Sequence, residues 1–313
     1  MAKILISGAS GYIGSALIQY LLQLNRHHIG ALTRSLPDYL SAKPGLEIYR
    51  ADLTEPLEIE LEQEYDVFIH LAAANDVDSQ RPKIAIDVNV TGTRHCLDFC
   101  LNHRIRRFVM VSTFQALGPV SGSLSEASLP KPQNDYGITH RFAEEYVALY
   151  QDRGIETLTL RPTNIFGAPI SRGVDRWTLV PAAFCLEIAQ TGRIRLMSSG
   201  RQRRDFISLP ELVRVLARAA EDFSDLGGKL VHVSSGRQYS IFEIAETVLS
   251  EFERLTGKLG QIEIASDQPA QANVFTIDRS LISAWQDCFD VDETLTDEIR
   301  KTFQLLGPEL ATA

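Results

Sequence analysis

Residues 136–140 read YGITH, which puts a phenol and an imidazole four positions apart. On a helix, residues i and i+4 share a face, so Tyr136 and His140 can serve one site as an acid/base pair. A free tyrosine titrates near ~10 and is a poor base at neutrality. A fixed cation beside it favours the tyrosinate. His140 is mostly neutral near pH 7 unless its surroundings raise its pKa, so the charge it offers is conditional. A neutral imidazole still hydrogen-bonds a hydroxyl. A second cluster, GASGYIG at 8–14, suits an anion rather than a proton. Gly8 permits a tight turn, Gly11 allows close approach to a pyrophosphate, and Gly14 allows close packing of the helix that follows. That helix then points its N-terminus at the anion.

Positioning these groups requires a strand before the glycines and a helix after them. KILISG supplies the strand and YIGSALIQYLLQL the helix. Further apolar runs read as strands: HHIGALTRS, LEIYRADLTE, YDVFIHLAA, RRFVMVSTFQALG and IETLTLRPTNIFG. Between them, IAIDVNVTGTRHCLDFCLNH and YGITHRFAEEYVALYQDRG read as helices. Continuous apolar strands alternating with amphipathic helices predict an α/β fold, a doubly wound parallel sheet covered on both faces. Within the second helix, Glu144 and Glu145 read as a solvated or salt-bridged face. Arg141 lies about 100° round the helix from His140, given 3.6 residues per turn.

The strand ends carry the cofactor reading further. No acidic residue closes the second strand, where one would accept from an NAD ribose. Arg34 stands there instead and suits a 2′-phosphate or an adenine face, which favours NADP over NAD. Asp52 follows the third strand and can accept from the adenine amino group. Leu71, Ala72 and Ala73 follow the fourth and leave room for a dinucleotide.

These motifs together resemble the extended short-chain dehydrogenase/reductase superfamily, of the NAD-dependent epimerase/dehydratase type, over nearly the whole chain. They are Gly8-Ala9-Ser10-Gly11-Tyr12-Ile13-Gly14, Asp52-Leu53, Leu71-Ala72-Ala73, Asn89-Val90-Thr91-Gly92-Thr93 and Ser112-Thr113 ahead of Gly118. Tyr136 follows, then Arg161-Pro162-Thr163-Asn164-Ile165-Phe166-Gly167 and Arg204-Asp205-Phe206-Ile207. The resemblance implies a Rossmann domain over 1–167 and a smaller C-terminal substrate-binding lobe over 168–313, with segments around 204–235 returning to the first domain. It implies NAD or NADP held by Gly8, Ser10, Gly11, Tyr12, Ile13, Gly14, Arg34, Asp52, Leu53, Leu71, Ala72, Ala73, Asn89, Tyr136 and His140. Tyr136 would move a proton at the substrate oxygen as hydride moves at the adjacent carbon. Thr113 would hydrogen-bond that oxygen, with Ser112 the neighbouring alternative. Asn164 would touch substrate, and Arg204 would either touch it or support the junction of the lobes. The family's lysine, four residues after the tyrosine, is His140 here. His140 then does the lysine's work in a weaker or pH-dependent form, or Tyr136 works as a proton donor, or the domain binds a dinucleotide without catalysis.

Composition narrows the partners. A net charge of −9 argues against a general nucleic-acid binder. No apolar run reaches the ~18 residues of a membrane span, and the N-terminus has no charged-then-apolar leader, so a cytoplasmic protein is expected. Cys96, Cys100, Cys185 and Cys288 lack metal-site spacing and read as packing; no metal is expected. The second lobe offers Arg172, Arg176, Arg193, Arg195, Arg201, Arg203 and Arg204 to an anionic substrate or to solvent. The Arg-x-Gly-Asp segment usual before the final helices is missing from EIASDQPAQANVFTIDRS. The substrate is therefore a nucleotide sugar, a sugar held differently, or a smaller polyol, carbonyl or terpenoid-like compound. Trp177 and Phe184 line its pocket or pack the core. The expected protein is an NAD(P)-dependent epimerase, dehydratase or reductase, and a homodimer through a helix bundle by family resemblance. The alternative is a catalytically weak or inactive dinucleotide-binding sensor or scaffold.

Overall fold

Ile4 and Ile6 face one side of their strand and Leu5 the other, and all three are fully buried. A strand apolar on both faces must lie inside a sheet covered twice, and the rest of the chain builds that cover. The structure, a computed structural model, describes residues 1–41, 43–266, 274–289 and 294–307. In chain order its elements are β1 (Lys3–Ser7), α1 (Tyr12–Leu24), β2 (His28–Thr33), β3 (Leu46–Arg50), β4 (Val67–His70) and α2 (Pro82–Ala85). A π-helical turn over Ile86–Thr91 leads into α3 (Gly92–Asn102), β5 (Arg107–Val111), β6 (Gly122–Leu124), α4 (Asp135–Gln151), β7 (Glu156–Pro162) and β8 (Asn164–Phe166). Then come α5 (Val180–Thr191), β9 (Arg193–Leu196), β10 (Arg203–Ser208), α6 (Leu209–Glu221), β11 (Lys229–Val233) and β12 (Arg237–Ser240). The chain continues through α7 (Ile241–Thr256), β13 (Gln261–Ile264), β14 (Phe275–Ile277) and α8 (Leu295–Leu306).

Among the described residues, seven parallel strands form the large sheet in the order β11-β7-β5-β4-β1-β2-β3. The order reverses between β1 and β4, and a doubly wound sheet opens its ligand crevice at the carboxyl ends of such a pair. One face is packed by α1 and α6, through Leu17, Leu21, Leu212 and Leu216. The other is packed by α3 and α4, through Cys96, Leu97, Cys100, Ala143 and Val147. A third apolar cluster joins α5, α7 and α8 in the second lobe, and Trp177 and Phe184 pack against it. Ser208 with Glu211, Ser240 with Glu243, and Thr294 with Asp297 form reciprocal caps that start α6, α7 and α8. Each such cap is worth about 1 kcal/mol. No helix of the described residues is long and apolar enough to cross a membrane.

The structure corrects two expectations. The run 155–167 is not one strand. It breaks at Thr163, leaving β7 in the large sheet and β8 in a three-stranded sheet with β10 and β12. Of the two readings of Glu144, the salt-bridged one holds and the solvated one does not. Helix α4 lies against the sheet there, and the carboxylate is buried beside Arg161 of β7. The short strands β13 and β14, pairing with β9 and β6, were not expected. Part of the stretch lacking an Arg-x-Gly-Asp segment, 267–273, lies outside the described residues.

Candidate active site

The glycine loop closes over the ends of β1 and β4. A Cβ on Gly8 would stand 2.6 Å from the Ala72 nitrogen, and one on Gly14 would stand 2.2 Å from the Gly8 oxygen. No side chain caps the first turn of α1, and that turn carries no acidic residue. Its free amide groups and the bare glycine surface form a cradle that fits an anionic group such as a pyrophosphate. The Tyr12 hydroxyl donates to the Gly167 carbonyl at 2.8 Å, tying the loop to the segment after β8. Thr33 donates to the Ser35 carbonyl at 2.6 Å and accepts from Ser10 Oγ at 2.9 Å, and Tyr39 donates to the Ser10 carbonyl at 2.7 Å. Arg34 is exposed at the same edge.

A cleft of about 880 Å³ runs from this loop to the second lobe. It brings together Gly8, Ser10, Gly11, Tyr12, Ile13, Gly14, Arg34, Leu71, Ala73, Thr113, Tyr136, His140, Asn164 and Arg204. It does not bring in Asp52, Leu53, Ala72 or Asn89. Asp52 accepts from the amide and hydroxyl of Thr54 at 3.0 and 2.8 Å, bonds that hold its carboxyl below the usual range. Leu53 is buried beneath Gly92, and Ala72 packs toward the α3–α4 face. Asn89 sits in the π-helical turn, accepts from the Ala74 amide at 2.7 Å and donates to Thr139 at 2.9 Å. It braces the loop after β4 against α4.

Tyr136 enters the cleft from the first turn of α4. Asn134 caps that turn by accepting from the Gly137 amide at 2.8 Å. A Cβ on Gly137 would come within 2.6 Å of the Gln115 carbonyl, so glycine lets the turn press onto the segment after β5. Thr113 lies in that segment, and its side chain lines the same cleft as the Tyr136 phenol. Ser112 points elsewhere and donates to Glu144 Oε1 at 2.6 Å. Arg161 grips the same carboxylate through Nε and Nη2, at 2.6 and 2.5 Å. The floor beneath Thr113 is thus a buried Ser112–Glu144–Arg161 network.

His140 lies behind the phenol, with the two ring centroids 4.3 Å apart. Its Nδ1 is 2.8 Å from the Tyr136 carbonyl. A carbonyl only accepts, so Nδ1 carries the proton and Nε2 keeps a lone pair. Burial pushes the His140 pKa down, against smaller opposing pulls from that carbonyl and from Glu144, so the ring is neutral. His70, at the end of β4, is a second buried neutral imidazole. It lies 2.7 Å from Ser7 Oγ and 3.0 Å from Thr93 Oγ1, and burial first, then His140, lowers its pKa to about 3.

Burial also raises the Tyr136 pKa. The positive charge of Arg176 and the Thr113 side chain pull it down, and Asp76 pushes it up. The phenol is therefore protonated at neutral pH. On the far wall, Asn164 donates to the Asp205 carbonyl at 2.8 Å. Asp205 is buried and its carboxyl is pushed up to about 6 by that burial, against the hydrogen bond that Ser234 donates to it at 2.8 Å. Arg204 lines the cleft, and burial lowers its pKa. Arg176 pairs with Asp76, Arg193 with Glu263 and Arg203 with Glu243. Sequence reasoning missed His70, Gly137, Asp76 and the roles of Arg161 and Glu144. The short distance from Tyr136 to Gly137 was the one available signal, since a glycine in a first helical turn implies a close neighbour.

The profile of the NAD dependent epimerase/dehydratase family matches residues 4–239. The UDP-glucose 4-epimerase of Halalkalibacterium halodurans is 26% identical over 316 residues, covering 94% of this chain and 93% of that protein. The UDP-glucuronic acid 4-epimerase of Bacillus cereus, solved with UDP-glucuronic acid and NAD, superposes with a TM-score of 0.82 at 22% identity, covering 98% and 99% of the two chains. RMD of Pseudomonas aeruginosa, solved with NADPH, superposes with a TM-score of 0.77 at 20% identity over the full length of both. The structural likeness is one of fold, and the family match extends through the glycine loop, Thr113, Tyr136 and Arg204. The chain belongs to the NAD dependent epimerase/dehydratase family, within the extended short-chain dehydrogenase/reductases, and is an NAD(P)-dependent enzyme.

Proposed function

We propose that this enzyme acts on a sugar-like hydroxyl or ketone, in an epimerase, dehydratase or reductase reaction, with Tyr136 as the proton-transferring group. The observation that carries the reading is the meeting of the Tyr136 phenol and the Thr113 hydroxyl in the cleft beside the glycine loop. Bound NAD(P) supplies or takes up hydride at the carbon next to the substrate oxygen. Thr113 orients that oxygen, and Tyr136 moves its proton. His140 directs a lone pair at Nε2 and accepts from a hydroxyl, which we assign to the cofactor ribose. Because the phenol rests protonated, the step it serves best is donation to a carbonyl oxygen, and this favours the reductive direction.

Three finer assignments go with this reading. Arg34, exposed where β2 ends, suits a 2′-phosphate and favours NADP. Asn164 and Arg204 face the substrate, and a guanidinium without an ion pair among the described residues suits the phosphates of a nucleotide sugar. The UDP-sugars of the similar proteins are in keeping with that. The apolar stripe Ile138, Phe142 and Leu149, exposed along α4, supports a homodimer.

The test is turnover of NADPH or NADH against a panel of nucleotide sugars and simple ketones, read by nicotinamide absorbance. Tyr136→Phe should lower kcat by about 100-fold or more while dinucleotide affinity holds. Unchanged turnover in that variant would sink the proton-transfer role. Tight dinucleotide binding with no turnover of any substrate would make the protein a sensor or scaffold.

A further inference from the structure

Between β8 and α5 the chain reads SRGVDRWT over 171–178. Its residues are exposed or half-buried with one exception, Val174, which is 1% exposed. Val174 lies in the apolar cluster that α1 and α6 form on the large sheet, which also holds Leu40 and against which Ile13 and Tyr39 pack. Burying this one apolar side chain favours a single seated position for the turn. The turn is also bonded to itself. The Val174 amide donates to the Ser171 carbonyl at 3.1 Å, the Arg176 amide to the Val174 carbonyl at 3.0 Å, and Trp177 Nε1 to the Arg172 carbonyl at 3.2 Å. Such internal bonds let it move as one piece.

The turn meets the Rossmann half at two further points. A Cβ on Gly173 would stand 3.4 Å from the Tyr39 ring, so the backbone there lies against that ring. Tyr39 follows β2 and donates to the Ser10 carbonyl of the glycine loop at 2.7 Å. At the other end, Arg176 Nη1 is 3.1 Å from Oδ1 of Asp76, in the loop after β4. In the large sheet, β2 and β4 are the two neighbours of β1. A turn fastened to the loops after both of them crosses the carboxyl end of β1, where the glycine loop lies. Gly173, Asp175 and Arg176 accordingly line the same cleft as Gly8, Ser10 and Gly11. The Arg176 and Asp76 side chains are 22% and 50% exposed, and a pair so open to solvent adds little to the stability of the fold. That strength suits a fastening that parts and re-forms.

Resting on the assignment of this cleft to the dinucleotide, we infer that residues 171–178 form a strap that encloses the bound cofactor. Val174 and the Arg176–Asp76 pair are its fastenings, positioning residues that set how fast the cofactor enters and leaves. A dinucleotide laid on the glycine loop lies beneath the strap, so the strap lifts for each exchange. Neither fastening is made to the cofactor. Loosening either one therefore speeds entry and release together and leaves affinity nearly unchanged. A residue that merely touched the dinucleotide would raise release alone. The strap also bears on the reaction class: an enzyme that regenerates its cofactor in each cycle keeps it closed, whereas a reductase opens it once per turnover.

The test needs no substrate. NADPH and NADH are mixed with the protein in stopped flow, then chased from it with excess NADP⁺ or NAD⁺, and both phases are read by nicotinamide fluorescence, with affinity from equilibrium titration. Val174→Ser should raise both rate constants by about tenfold or more and hold Kd within about twofold. Asp76→Asn should raise both by up to about fivefold, and Arg176→Lys should stay near wild type. The double variant Asp76→Asn/Arg176→Gln should be no faster than Asp76→Asn, since the two residues form one fastening. Asp76 is half-exposed, so Asp76→Asn carries the test if Val174→Ser fails to fold. Entry and release rates unchanged in these variants overturn the strap. So does faster release with unchanged entry, which makes the residues simple cofactor contacts. Protein that binds neither dinucleotide overturns the reading of the cleft and the strap with it, whereas dinucleotide binding with unaltered rates overturns the strap alone.

Discussion

Replacing Arg161 by Met should cost about 3–5 kcal/mol of stability, because it removes one half of a buried ion pair and leaves the other half inside. Arg161 and Glu144 are each within a few per cent of complete burial. The carboxylate accepts four hydrogen bonds: two from Arg161, one from Ser112 at 2.6 Å and one from Arg141 at 3.1 Å. The substitution removes the two from Arg161 together with the opposing charge. Ser112 and the half-exposed Arg141 remain and cannot replace them. With a urea m-value of about 2–3 kcal/mol/M, the midpoint should fall by about 1–2 M. Urea titrations followed by tryptophan fluorescence measure this directly. The double variant Arg161→Met/Glu144→Leu should recover most of the loss, since the penalty lies in the unpaired charge and not in the absent contact. If Arg161→Met stayed within about 1 kcal/mol of wild type, or the double variant were worse than the single, the buried-charge argument would be wrong.

Three other outcomes follow from the same geometry. Gly14→Ala puts a Cβ 2.2 Å from the Gly8 oxygen, so the loop must shift by most of an ångström; dinucleotide affinity, read by calorimetry, should fall by at least about tenfold. Phe142, 58% exposed on α4, is the residue on which the proposed homodimer is tested. The expected outcome is a wild type that sediments at twice the 34.9 kDa chain mass and a Phe142→Glu variant that sediments as the monomer. His232 is buried with neither ring nitrogen hydrogen-bonded, and burial lowers its pKa to about 4. Its folded pKa is below the unfolded value, so stability is whole above about 6.5 and is lost as pH falls toward about 4, where the unfolded chain binds the proton first. His232→Leu should remove roughly 3 kcal/mol of that acid-induced loss, seen as a flatter urea midpoint between those two pH values.

The central sheet was legible because its middle strands, such as β1 and β4, are apolar on both faces and each long helix on one, a pattern that depends on nearest neighbours in the chain. The glycine loop was legible for the same reason: Gly8, Gly11 and Gly14 lie within seven residues and sit between a readable strand and a readable helix. The break at Thr163 was not, because β8 leaves the large sheet to pair with β10, some forty residues on. Glu144 has the polar look of a surface residue. Only the packing of α4 on β7 shows that Arg161 waits beneath it. The pairing of Asp76 with Arg176 spans a hundred residues and two lobes, and no local pattern announces it. The tautomer of His140 likewise depends on a carbonyl one turn back and on burial supplied from elsewhere.

The Tyr12 hydroxyl reaches the Gly167 carbonyl, and the next amide, that of Ala168, donates to Glu298 of α8 at 2.8 Å. Lys301, one turn on, grips the other oxygen of the same carboxylate at 2.8 Å. The glycine loop and α8 are therefore fastened to neighbouring residues of one short connector. A chain shortened ahead of Leu295 would keep every strand of the large sheet and every glycine of the cradle. It would still lose the anchor that keeps the connector, and through it Tyr12, in place. Helix α8 is thus a remote support of the glycine loop, and a substitution at Glu298 should be read first in dinucleotide binding.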